Sequence, residues 1–204
     1  MDIAVNLVES YLRLNGYLTL SEFEVQRRQP DGRFKTVTDV DVMGIRFPGA
    51  PQPGSAYAAA EGEMLMMDDP VLQLEAETID VIIGEVKQGP ADFNPALKDH
   101  GVLFSMLRRV EWLFSVGLND VIEELQRHGV HSASARGGGT VRTRLVAFGR
   151  SDQSNLNTVS ISHMIETLLD FFEKHEEAFR PSQFREPAPA FLRLLLKAGF
   201  DIRK

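Results

Sequence analysis

Apolar and polar positions along the chain follow two rhythms. Ala4, Leu7, Val8, Tyr11 and Leu12 recur at i, i+3, i+4 spacing, which predicts an amphipathic helix over residues 2–15. Asn15-Gly16 supplies its stop, since both residues tolerate the left-handed conformation. Glu9 lies roughly 130° from the centre of the apolar stripe, on its flank, and reads from spacing alone as a solvated surface acid. Residues 17–28 and 36–47 read as strands, with Pro30-Asp31-Gly32 as the turn between them. Residues 48–62 are rich in Pro, Gly and Ala and read as a loop, and Met64–Met67 as a short strand, a lid or gap-filling core.

The stretch around which the rest is arranged is Ile79–Gly89. Val81, Ile82, Ile83 and Val86 are β-branched, the composition of a buried strand, and Gln88-Gly89-Pro90 breaks it. A helical region over about 96–116 follows, and then a short helix, Asp120–Arg127, capped by Asn119. Residues 130–139 read as a flexible Gly-rich loop leading into a strand, Thr140–Phe148, which is the wrong context for a phosphate-cradling loop. Arg142 and Arg144 share one face of that strand; an exposed face is the plainer reading and phosphate binding the alternative. Ile161, Ile165, Leu168, Leu169 and Phe172 make the clearest helix, 158–178, entered through Ser160 or Ser162. A final helix, 189–198, carries Phe191, Leu194, Leu195 and Ala198 on one side, a face expected to pack on its own domain, with a two-fold dimer contact as the alternative.

Composition narrows the picture. The 204 residues suit one α/β domain, divided here as 1–180 with a 48–77 insertion and a helical extension at 181–204. There is no cysteine, which removes disulfides and thiolate metal sites and fits a reducing cytoplasm. The five histidines show no ligand spacing. No signal-peptide pattern opens the chain and no apolar run spans a bilayer, so the expected location is cytoplasmic with no membrane partner. A net charge of −7 argues against a sequence-blind nucleic-acid coat but not against an enzyme with a local basic groove.

The charged residues that interrupt apolar strands carry the chemistry. Glu85 and Lys87 sit two apart, so both point to one side of the central strand, where burial is costly unless they face a wet site, a metal or each other. A bare surface ion pair would be the bland account, at about 0–1 kcal/mol. Asp39 and Asp41 likewise share one face of the preceding strand, where like charges repel; a solvent-facing edge is the plainer reading and a metal or other cation between them the alternative. Carboxylates from two neighbouring strands suit a hard cation such as Mg²⁺, and a lysine beside them suits phosphoryl transfer.

Asp41-Val42-Met43-Gly44 followed by Glu85-Val86-Lys87 resembles the PD-(D/E)xK phosphodiesterase superfamily. The likeness covers about residues 2–178 as a topology and about a dozen positions as motif. No proline precedes Asp41, and the interval to Glu85 is long. The resemblance implies a restriction-endonuclease-like α/β fold, a central mixed sheet flanked by helices. It implies Mg²⁺, or Mn²⁺, held by Asp41, Glu85 and the Val86 carbonyl, with Lys87 assisting and Glu9 as an N-terminal helix acid. Asp39, Gln88, Arg142 and Arg144 are outer-shell or phosphate-binding candidates. The implied activity is hydrolysis of DNA phosphodiester bonds, by an endonuclease or exonuclease. The alternative is a catalytically inactive module of the same shape that binds nucleic acid or a protein partner.

Overall fold

The computed structural model describes residues 2–49, 65–179 and 186–200. The elements run α1 (Ile3–Leu14), β1 (Leu18–Arg28), β2 (Phe34–Arg46), β3 (Thr78–Pro90), α2 (His100–Leu107), α3 (Leu118–His128), β4 (Val130–Ser134), β5 (Thr140–Arg150), β6 (Thr158–Ser160), α4 (Ile161–Lys174), α5 (Glu176–Phe179) and α6 (Pro187–Lys197). The strands form one mixed sheet in the order β1-β2-β3-β5-β4. β1, β2 and β3 are antiparallel; β5 lies parallel to β3, after a crossover that carries α2 and α3. The outer edge of β5 is divided between β4, antiparallel along Thr140–Arg144, and β6, parallel along Ala147–Gly149.

Period-two alternation gives the sheet two apolar faces. Val42, Ile82, Val146 and Phe148 pack under α1, α4 and α6; Met43, Val81, Ile83 and Leu145 pack under α2 and α3. β3 is therefore covered on both sides, as its β-branched run predicts. The first helix stops where expected: the backbone N–H of Asn15 caps α1, and Gly16 has φ +85°. Among the described residues, no helix is long and apolar enough to cross a membrane.

Several expectations are corrected. Residues 130–134 are a paired strand rather than a loop, because β5 has a free edge that Val130–Ser134 fills. The break at Gln88-Gly89-Pro90 does not occur; β3 runs to Pro90, with its register against β5 disturbed between Val86 and Pro90. The helix expected over 96–116 is three pieces, a 3-10 turn at Pro95–Lys98, α2, and a 3-10 stretch at Arg108–Leu113 with non-helical φ/ψ at Val110. The third helix starts at Leu118, with Gly117 and not Asn119 at its cap. Residues 158–160 are a strand that hands over to α4. On α6 the packed residues are Ala188, Pro189 and Leu192, while Phe191 and Leu194 of the expected packing face are exposed. In the 48–77 stretch, residues 50–64 lie outside the described residues; Met67 and Leu72 are buried in the core, the gap-filling reading of that cluster.

The largest correction concerns Arg142 and Arg144, which are buried and not on an exposed face. Asp80, at the start of β3, lies between them. Its Oδ1 accepts from Arg142 Nε at 2.6 Å, and its Oδ2 accepts from Arg144 Nη2 at 2.8 Å and from the Tyr17 hydroxyl. Arg144 also donates to the Leu156 carbonyl at 2.9 Å, and Arg142 to the Leu72 carbonyl at 3.3 Å. Burial alone would push the Asp80 carboxyl up, but the Arg144 charge and the Arg142 hydrogen bond outweigh it and hold the group below the usual carboxylate range.

Removing the charge of Asp80 leaves the Arg144 guanidinium buried without a counter-ion and Arg142 with only the exposed Glu75 carboxylate, at 3.4 Å. Asp80→Asn is expected to cost on the order of 3–5 kcal/mol, measured as the shift in urea unfolding. Because the folded-state carboxyl is depressed, its stabilisation is complete above the ordinary Asp range and fades as pH falls through the lower folded-state value. The advantage of wild type over Asp80→Asn should therefore shrink on acidification.

Candidate functional site

The backbone ladder between β2 and β3 ends at Val42↔Gly84. Gly84 allows a close approach there: a Cβ on it would meet Val42 Cγ1 at 2.6 Å and Phe148 Cε2 at 2.8 Å. One step beyond that pair, the antiparallel register sets Asp41 opposite Glu85. The Asp41 side chain takes the place of a ladder bond, its Oδ2 accepting the Val86 N–H at 2.6 Å. Lys87 Nζ donates to Glu85 Oε1, as their placement two apart predicts. The Glu85 side chain is 5% exposed and that of Lys87 41%, so the pair reaches from the interior to solvent and is not a surface ion pair.

Both acids hold their protons more tightly than ordinary carboxylates. For Asp41 burial is the main cause, offset by the Val86 N–H and Lys87 and reinforced by Asp2 and Asp39. For Glu85 burial again leads, the Lys87 hydrogen bond opposes it, and the charge of Asp41 adds to it. Asp41 Oδ1 and Glu85 Oε2 have no hydrogen-bond partner among the described residues.

Two facing carboxylates, each with a free oxygen, are a donor set for a hard cation. Mg²⁺ is commonly held by one or two protein carboxylates, with waters and substrate oxygens completing its shell. The residues present thus fit such an ion as a two-carboxylate site. Among the described residues, no group of three or more His, Cys, Asp or Glu side chains assembles around a metal position.

The remaining expected residues are distributed as follows. Glu9 is 2% exposed, which overturns its reading as a solvated acid; its Oε1 accepts from Arg13 at 2.8 Å and from the Thr19 hydroxyl at 3.3 Å, and among the described residues no hydrogen bond or ion pair joins it to Asp41 or Glu85. Asp39 is exposed and acts on Asp41 through its charge. Val86 bonds to Asp41 through its N–H. Gln88 Nε2 donates to Asp2 Oδ2 at 3.1 Å. Arg142 and Arg144 belong to the Asp80 cluster at the other end of β3.

Asp2 is the acid that spacing did not find. It caps α1 by accepting the Ala4 N–H at 2.7 Å and adds negative potential at Asp41. The available signal was an N-cap signal, an Asp directly before an apolar-periodic helix. Asp69 was also missed. It is buried, and its Oδ2 accepts from the Tyr11 hydroxyl at 2.6 Å and lies 2.7 Å from His163 Nε2. Comparison with protein-family models, curated proteins and solved structures found no match.

The raised proton affinities carry a sign. A carboxyl that binds its proton more tightly in the folded state costs stability once ionised, and that cost sets in as pH rises from the ordinary carboxylate range through the folded-state value. In the absence of divalent cations, Asp41→Asn should therefore melt above wild type at neutral pH, with the gap closing on acidification. Calorimetry across pH in EDTA measures it. A variant that melts below wild type throughout would show that the Asp41–Val86 bond outweighs the cost of burying the Asp41 charge.

Proposed function

We propose that the chain is a metal-dependent DNA nuclease of the PD-(D/E)xK type. The observation that supports this most is the meeting of Asp41, Glu85 and Lys87 where the pairing of β2 with β3 ends, each acid with one oxygen that accepts no hydrogen bond from the described residues. The order of elements is in keeping with a restriction-endonuclease-like core: an N-terminal helix, a β1-β2-β3 antiparallel meander, then a helical crossover to a parallel strand. The motif thereby sits where the pairing of β2 with β3 ends, with Lys87 partly open to solvent.

In this reading Asp41 and Glu85 hold Mg²⁺, which when bound polarises a phosphoryl oxygen and lowers the pKa of a coordinated water. The residues do the rest. Hydrolysis forms a P–O bond to water and breaks the P–O bond to the leaving sugar oxygen; the water gives up a proton and the leaving oxygen gains one. With the cation bound, Glu85 would be one of its ligands, so the first proton passes to bulk water from the acidified water, and bulk water returns one to the leaving oxygen. The Lys87 ammonium, fixed by Glu85 and partly open to solvent, faces the negative charge that grows on the phosphoryl group. Asp39 and Asp2 add negative potential that favours a cation at Asp41.

The second reading is an inactive module of the same shape. The specific observation in its favour is that Glu9 turns to Arg13 and no third side-chain donor joins Asp41 and Glu85.

The test is cleavage of supercoiled plasmid and linear duplex with Mg²⁺ or Mn²⁺, against two variants. Lys87→Ala is expected to retain cation binding, seen as thermal stabilisation by the ion, and to lose cleavage by a factor on the order of 10² or more. Asp41→Asn is expected to lose both. Cation-dependent stabilisation of wild type with no cleavage of any substrate would favour the inactive module; equal cleavage by wild type and Lys87→Ala would remove the catalytic assignment.

A further inference from the structure

The hairpin of β1 and β2 is longer than the sheet it belongs to. β3 pairs with β2 only along Val42–Arg46, so β2 residues before Val42 have β1 alone as a ladder partner. The inner part of this two-stranded ribbon is anchored: Val25 is 5% exposed and Val40 is fully buried against the α2 layer, and the Arg109 guanidinium lies over the Phe23 ring at 5.0 Å. The register of β1 on β2 shifts between Val25 and Gln26.

Beyond that shift the chemistry changes. Residues 26–36 carry Arg27, Arg28, Arg33 and Lys35 against one acid, Asp31, in a protein whose net charge is −7. All four cations are exposed, and the Arg33 side chain is 88% exposed. Arg27 is the fixed one. It donates to Asp99 Oδ1 at 2.6 Å, the same oxygen that caps α2 through the Gly101 N–H, and so ties the ribbon to the helix beneath it. Lys35 stands directly across the ladder from Arg27 and shares its face. That is the α2 face of the sheet, on which alternation from Val81 and Ile83 also sets Glu85 and Lys87. Lys35 is six positions before Asp41 on the same strand, about 20 Å at ~3.3 Å per residue. At 3.4 Å of rise per step along one strand, this corresponds to about six base steps.

We propose that the outer β1–β2 ribbon is a docking surface for the phosphate backbone of duplex DNA, gripping the duplex about six base pairs from the phosphate placed at Asp41 and Glu85. The proposal rests on the nuclease reading for its register and on charge complementarity for its occupant. Local concentration of cations lets a protein of overall negative charge attract a polyanion at one place and repel it elsewhere. A two-stranded ribbon is also an element that fits a DNA groove.

The experiment is binding, read separately from cleavage. Fluorescence anisotropy of a labelled 20-base-pair DNA duplex is measured in EDTA and in Ca²⁺, over a range of salt, with full-length protein. Two charge-matched variants are compared, Arg33→Gln/Lys35→Gln on the ribbon and Lys174→Gln/Lys197→Gln on α4 and α6. The ribbon variant is expected to bind on the order of tenfold more weakly and to lose about 1.8 from the slope of log K against log salt, at ~0.9 per phosphate contact. The control variant should match wild type. Equal affinities and slopes in both variants, no saturable binding by wild type, or binding of duplex RNA but not of DNA would overturn the proposal. DNA bound through the ribbon but never cut would sink the nuclease reading and leave the docking surface standing. Cleavage with unaltered affinity in the ribbon variant would do the reverse.

Discussion

The carboxylate of Asp80 is the point on which the arrangement of the sheet depends. It is 2% exposed and tolerable there because its oxygens accept from Arg142, Arg144 and the Tyr17 hydroxyl. Those partners come from β5 and from the turn between α1 and β1, so one buried charge ties the central strand to its parallel neighbour and to the first helix. The arginines then bond to the Leu72 and Leu156 carbonyls, fixing two connecting segments. A parallel pair such as β3–β5 forms late in sequence separation and has no tight turn to set its register. The Asp80 cluster supplies a register mark, because a one-residue slip would leave a carboxylate or a guanidinium buried without its partner.

β3 thus carries buried acid at both ends, handled in opposite ways. At Asp80 two buried guanidinium groups meet one buried acid, with Glu75 reaching Arg142 from outside, and the proton affinity falls. At Glu85 acids outnumber the cation, Asp41 faces it, Lys87 alone relieves it, and the proton affinity rises at both carboxyls. Folding alone would favour the first solution at both ends. A second end left electrostatically incomplete, and open to solvent through Lys87, is the kind of place where a missing cation or a transferred proton has work to do.

How far this was legible in the sequence depended on whether the signal was local. The β-branched run of residues 81–86 and the 4, 7, 8, 11, 12 spacing of α1 are local, and both elements formed as read. The same-face pairing of Glu85 with Lys87 follows from strand period alone, and it too formed. What spacing could not show was the partner across space. Arg142 and Arg144 looked like an exposed face because their acid lies 62 and 64 residues away. Glu9 looked solvated for the same reason: its burial depends on Arg13 folding back and on Thr19 from β1. Val130–Ser134 resembled a loop because its polar sequence has little strand propensity; the open edge of β5 made it a strand. Asp41 was found as a motif residue, but the use of its side chain in place of a ladder bond to Val86 appears only when the two strands are seen to part.

That parting also explains why ribbon and site belong to one design. If β2 stayed hydrogen-bonded to β3 beyond Val42, Asp41 and Glu85 would be sealed inside a regular ladder and the outer hairpin would be ordinary sheet. Where pairing with β3 ends at Val42, the Asp41 side chain bonds to Val86 in place of a ladder bond, and the N-terminal half of β2 continues with β1 alone. An isolated two-stranded ribbon is marginal in water. Val25, Val40, Phe23 under Arg109 and the Arg27–Asp99 bridge hold this one against the α2 layer. Apart from the Arg27–Asp99 bridge the anchors occupy the inner half, and the exposed Arg28, Arg33 and Lys35 stand on the outer half, Arg33 with Asp31 at 3.9 Å. The positive charge is thereby held at a set distance from the acids, and the two are not free to neutralise each other. A fork with acid at its base and base at its tip is a poor arrangement for internal stability; on the nuclease reading proposed above, with a cation on the acids, it suits an extended anion whose phosphates reach both.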